Sequence, residues 1–151
     1  MTVQTALVFD YGRRRIGVAI ANRLSNTATG LTVVAAQDGK PDWRALDQLM
    51  QEWGPDVLVS GLPYNDDGSK SDMTAEVTAF AEELAGRYAL DVQTIDERLT
   101  SAEAETMLRE QRQTGARRRR IRKEDVDRTA ALLIAQSWLR NADSHDKSNN
   151  G

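Results

Sequence analysis

Ala6-Leu-Val-Phe-Asp10-Tyr-Gly-Arg-Arg-Arg15-Ile-Gly-Val-Ala-Ile-Ala21 holds two apolar runs separated by a polar turn. Apolar runs joined by a short Gly-containing link read as a β-hairpin. Asp10 closes the first run. A carboxylate there contradicts the burial of Ala6–Phe9 unless it stands at the edge of a sheet, facing solvent or a ligand. Gly12 and Gly17 serve tight backbone geometry, and their spacing is not the GxGxxG nucleotide fingerprint.

Outward from the hairpin, Thr32–Ala36 reads as a third strand and Asp38-Gly39 as a loop. Pro41-Asp42 opens a helix carrying Trp43, Leu46, Met50 and Trp53 at helical spacing, and Gly54-Pro55 stops it. Asp56–Gly61 is a buried-strand pattern, followed by a Pro-, Asn-, Asp- and Gly-rich loop from Leu62 to Ser71. A second helix places Val77, Phe80, Ala81, Leu84 and Tyr88 on one face. Asp91–Ile95 is a fifth strand. Thr100-Ser-Ala-Glu103 is a capping box that opens a helix running to about Arg112. A last helix begins near Glu124, with Val126, Ala130, Leu133, Ile134 and Trp138 on its apolar face. The three tryptophans sit at core spacing. This order predicts an α/β fold with a five-stranded mixed sheet flanked by helices. Residues 1–140 form one domain, and 141–151 form a polar tail.

The 151 residues include no Cys and a single His, His145, in that tail. Disulfide scaffolds, thiolate metal sites and Cys nucleophiles are thereby excluded. No apolar run approaches membrane-spanning length, and the N-terminus lacks the basic start of a signal peptide. The expectation is a soluble cytoplasmic protein without a membrane partner.

The net charge of −3 conceals a strong asymmetry. Residues 109–123 carry eight basic residues and one acid, while the rest of the chain is acidic. Sixteen of the 20 basic residues are Arg, whose fork suits phosphate. Arg117, Arg118, Arg119, Arg120, Arg122 and Lys123 therefore read as a polyanion contact. Arg98 either contacts phosphate or holds its neighbour Glu97. Tyr64 is a candidate for base stacking.

Asp10, Glu97 and Asp127 can be drawn together if the first and fifth strands end at one sheet edge and the last helix packs against it. Clustered carboxylates repel and call for a cation; hard oxygen ligands suit Mg²⁺ or Mn²⁺. Two such ions can activate water and stabilise the leaving oxygen in phosphodiester cleavage. Asp125 is a rival for the third position.

Four motifs, Asp10-Tyr-Gly-Arg-Arg-Arg-Ile-Gly-Val-Ala19, Gly61-Leu-Pro63 with Asp67-Gly68, Asp96-Glu-Arg-Leu-Thr-Ser101 and Asp125-Val-Asp127-Arg-Thr-Ala-Ala131, resemble the YqgF/RuvX family. The resemblance covers residues 4 to about 139. It implies a ribonuclease H-like fold related to the RuvC resolvases, and a bacterial cytoplasmic nuclease working on the 5′ end of pre-16S rRNA or on Holliday junctions. The family's acidic positions fall on Asp10, Glu97 and Asp127, and Arg15-Ile16-Gly17 retains the first motif. The expected partner is thus structured RNA (pre-16S rRNA) or branched DNA, with a ribosomal partner delivering the substrate to a monomer or homodimer. The competing readings are a resolvase of four-way DNA, a non-catalytic nucleic-acid-binding factor, and a fragment of a two-lobed ATPase, for which the chain is too short.

Overall fold

The structure is a computed structural model that describes residues 4–63, 71–96 and 128–140. Six strands form one sheet: β1 (Thr5–Asp10), β2 (Arg15–Asn22), β3 (Thr27–Gln37), β4 (Lys40–Pro41), β5 (Val57–Leu62) and β6 (Val92–Asp96). The helices are α1 (Trp43–Trp53) and α2 (Asp72–Tyr88), then α3 over residues 128–140. The strand order is β4-β3-β2-β1-β5-β6. β1 to β4 pair antiparallel in succession. β1, β5 and β6 run parallel, so their carboxyl ends share one edge.

The sheet has one strand more than the sequence predicts. The addition is the two-residue β4, which folds back on β3 around Asp38 and Gly39. Both turn residues have positive φ, 53° and 81°, as a tight hairpin of the Asp-Gly kind requires. β3 also starts earlier than expected, at Thr27.

Two apolar layers sandwich the sheet. On one face Leu7, Phe9, Ile16, Val18, Val34 and Leu58 meet Leu46 of α1 and Val77, Phe80 and Leu84 of α2. On the other, Ala6, Val8, Ala19, Ala21, Val57 and Val59 meet Ala131, Ile134, Ala135 and Trp138 of α3. Strand residues alternate between these layers, as the two-residue strand period dictates. β1 and β5 read as continuous apolar runs because both of their faces are covered. The Trp138 indole donates to Gln93 Oε1 at 2.8 Å, and the Arg23 guanidinium lies 4.7 Å from its ring centroid.

Local sequence sets the helix ends. Asp42 accepts from the Ala45 amide at the start of α1, and Gly54 takes the left-handed conformation at its end. Ser71 and Thr74 form a capping box at the start of α2. Thr74 also donates to the Pro63 carbonyl, tying α2 to the chain leaving β5. Asp47 of α1 accepts from Arg87 Nη2 at 2.7 Å and from the Tyr88 hydroxyl at 2.7 Å. Trp43 and Trp138 pack as the sequence predicts. Trp53 does not: it is the last residue of α1, borders an open cleft with Leu31–Val34, and is 40% exposed. The capping box at Thr100 and the tail at 141–151 lie outside the described residues.

Candidate active site

Asp10 is the last residue of the central strand β1. Ala6 and Val8 belong to the α3 layer, so alternation assigns Asp10 to the α3 face. The antiparallel register sets Asp10 opposite Gly17. On the parallel side, Phe9 pairs with Ser60 and Ser60 with Thr94, so β6 ends at the same edge as β1. Ile95 packs against the α3 layer.

The turn beyond Asp10 is firmly held. Tyr11 is buried against Phe80, with ring centroids 5.0 Å apart. Its hydroxyl donates to the Gly39 carbonyl at 2.9 Å. Arg13 forms an ion pair with Glu76 of α2 at 2.6 Å. That guanidinium holds the Glu76 carboxyl below the usual carboxylate range. Burial, reinforced by Glu76, raises the Tyr11 phenol above its ordinary value. Gly12 has no room for a side chain, since a Cβ would stand 2.5 Å from the Arg15 carbonyl oxygen. The Gly39 amide donates to the Arg13 carbonyl and the Ala36 amide to that of Arg14. Within the Arg13–Arg15 run, then, Arg13 is committed to the fold.

Arg15 begins β2 opposite Ala35. It lines a cleft of about 400 Å³ with Leu31, Thr32, Val33, Ala35 and Arg128. Among the sequence-predicted site residues, Asp10 and Arg15 are described, and both sit near the β1–β2 turn. Glu97, Arg98, Asp127, Arg117–Arg120, Arg122 and Lys123 lie outside the described residues, as do Tyr64 and Asp125. Among the described residues, no three His, Cys, Asp or Glu side chains gather as a metal site, and no helix is long and apolar enough to cross a membrane. Arg128, the first described residue of α3, is a site-lining residue that sequence reading missed. Its signal was its position directly after Asp127.

The mixed sheet, with an acid closing its central strand, defines a ribonuclease H-like α/β protein. Solved structures share this fold at low sequence identity. The fowlpox virus resolvase in complex with Holliday junction DNA superposes with a TM-score of 0.57 at 11% identity, covering 91% of this chain and 98% of that one. Thermus thermophilus RuvC with its Holliday junction substrate gives 0.51 at 13%, covering 91% and 96%.

The chain belongs to the RuvX family, whose model, described as Holliday junction resolvase, matches residues 4–141. A relative from Azotobacter vinelandii is 46% identical over 133 residues, 88% of this chain and 91% of that protein. One from Escherichia coli (strain SE11) is 41% identical over 135 residues, 89% and 95% respectively. Both carry the name "Putative pre-16S rRNA nuclease".

Proposed function

We propose that this chain is a metal-dependent nuclease that hydrolyses phosphodiester bonds in the 5′-end processing of pre-16S rRNA. The observation that carries the reading is the placement of Asp10, an acid closing the buried central strand of a RuvX-family sheet. Glu97 and Asp127 complete the carboxylate set. Three carboxylates with no His or Cys among them fit a hard dication, Mg²⁺ or Mn²⁺. Those carboxylates would hold the dications, which would supply water activation and charge stabilisation at the leaving oxygen.

The chain's own groups select and hold the substrate. Arg15 meets a backbone phosphate beside Asp10. Arg117–Arg120, Arg122 and Lys123 engage the nucleic-acid backbone, and Arg98, the neighbour of Glu97 in sequence, contacts phosphate. The clamp of Tyr11, Gly39, Arg13 and Glu76 holds the turn that follows Asp10, because a loosened turn would misplace a reacting group. Residues 1–140 act as the nuclease domain with 141–151 as a tail. The protein works in the cytoplasm as a monomer or homodimer, with the ribosome delivering the RNA.

The relatives' names favour RNA. The family model's description favours a second reading, cleavage of four-way DNA. Incubating the purified protein with Mg²⁺ or Mn²⁺ and either a precursor 16S 5′ segment or a four-way DNA junction separates the two. Cutting of the RNA alone supports the proposal; cutting of the junction alone replaces it with the resolvase.

A further inference from the structure

The cleft near Asp10 is lined by two arginines, Arg15 and Arg128, together with Leu31, Thr32, Val33 and Ala35. Its place relative to Asp10 follows from register. Gly17 pairs with Asp10 on one side and Val33 on the other, so the three lie on one line across β1, β2 and β3. At a strand spacing of about 4.8 Å, Val33 is about 10 Å from Asp10 across the sheet. Arg15 and Ala35 are two residues from Gly17 and Val33, and therefore share their face.

Arg128 reaches the cleft from α3. A Cβ at Gly30 would stand 2.8 Å from Arg128 Cγ and 3.2 Å from its Cδ. The aliphatic stem thus lies on the backbone of Gly30, a contact that any larger residue would push away. Arginine buries such a stem while its charged head stays in water. β3 is also bulged here. Val18 pairs with Thr32 and Ala19 with Gly30, leaving Leu31 between the two registers. A bulge bends its strand and re-aims the local chain; Leu31 packs against the α1–α2 layer, and the bent strand borders the cleft from Leu31 to Val33. Arg15 and Arg128 line the same cleft, and two arginine forks on one cleft match the recognition of a phosphate.

We propose that this cleft is a phosphate subsite, in which Arg15 and Arg128 grip a backbone phosphate of the same strand whose scissile phosphate lies at Asp10. This inference rests on the nuclease reading. The test is binding of a short single-stranded RNA, and of DNA of the same sequence, to the full chain in EDTA across a salt series. Arg15→Gln and Arg128→Gln should each reduce the slope of log affinity against log salt by about 0.7. The loss should be equal for RNA and DNA, because phosphate contacts carry no base information. Arg128→Lys should restore the slope. Gly30→Ala should reproduce Arg128→Gln by displacing its stem, with folding checked by circular dichroism for every variant. Unaltered slopes in folded Arg128→Gln would overturn the subsite, as would a loss confined to RNA. Wild-type cleavage is measured in parallel. If the wild type cuts and the slopes do not change, the subsite alone fails. If the wild type binds without cutting and the slopes fall, the subsite stands and the nuclease reading fails.

Discussion

Asp10 stands opposite Gly17 across the β1–β2 ladder. The carboxylate that ends the central strand therefore has a glycine beside it on β2, and the floor of the sheet between it and the Arg15–Arg128 cleft carries no bulky side chain from that strand. The turn that follows Asp10 closes on Gly12, where a Cβ would press on the Arg15 carbonyl oxygen at 2.5 Å. That backbone atom cannot swing aside as a flexible side chain can. Gly12→Ala should cost about 1–3 kcal/mol, the usual penalty of forcing extra volume into a packed site. It should also lower cleavage beyond what the lost stability explains, because the turn carries Asp10. Urea unfolding and initial cleavage rates on the same preparation check both.

The α1–α2 link gives a pH signature. The Arg87 fork, aided by the Tyr88 hydroxyl, draws the Asp47 carboxyl down to about 2. A carboxyl that titrates lower in the folded chain than in the unfolded one stabilises the fold above its ordinary value, about 4. That contribution disappears as pH falls through the folded value. Asp47→Asn should therefore have a lower Tm than the wild type at neutral pH, and the gap should narrow between about pH 4 and pH 2. A gap that stays constant through this window would show that the link is unrelated to Asp47 ionisation. Both partners are solvent-exposed, so added salt should shrink the neutral-pH gap.

Trp138 pins α3, and with it Arg128, to the sheet. It is 2% exposed, donates to Gln93 and carries Arg23 against its ring. Trp138→Ala should destabilise the fold by about 3–5 kcal/mol, measured by denaturant titration. Trp138→Phe, which keeps most of the volume but loses the donor, should cost less.

Replacing Arg117–Arg120 with Ala should weaken binding on every nucleic acid tested and flatten its salt dependence. Fluorescence anisotropy at several salt concentrations reads this directly. An unchanged slope would remove the segment from the phosphate path.

The hairpin and the position of Asp10 were legible because a charge ending an apolar run has few places to go. β5, β6 and both helix caps of α1 were legible for similarly local reasons. The capping box at Ser71 and Thr74 went unnoticed, since Thr replaces the usual acidic partner. β4 was missed because two residues make no pattern, and Asp38-Gly39 marks a hairpin turn and a loop equally well. The first half of β3, residues 27–31, was missed; it contains Gly30, a residue that weakens a strand pattern. Its reason is tertiary: Arg128, nearly a hundred residues away in sequence, occupies the space of its side chain. Trp53 has the spacing of a core residue, yet it ends α1 at the rim of an open cleft. At the candidate site, Asp10 and Arg15 were singled out from sequence as candidates. Arg128 was not, because its local signal, the position directly after Asp127, does not tell a cleft-lining Arg from a solvated one.

If Asp10 serves metal-dependent phosphodiester cleavage, Asp10→Asn removes that activity. The purified variant and the wild type are compared for cutting a precursor 16S 5′ segment in Mg²⁺ or Mn²⁺, with EDTA as the metal-free control and binding measured alongside. EDTA and Asp10→Asn should each abolish cutting, while the variant keeps wild-type affinity because its arginines are untouched. Wild-type cutting by a folded Asp10→Asn protein would contradict that role of Asp10.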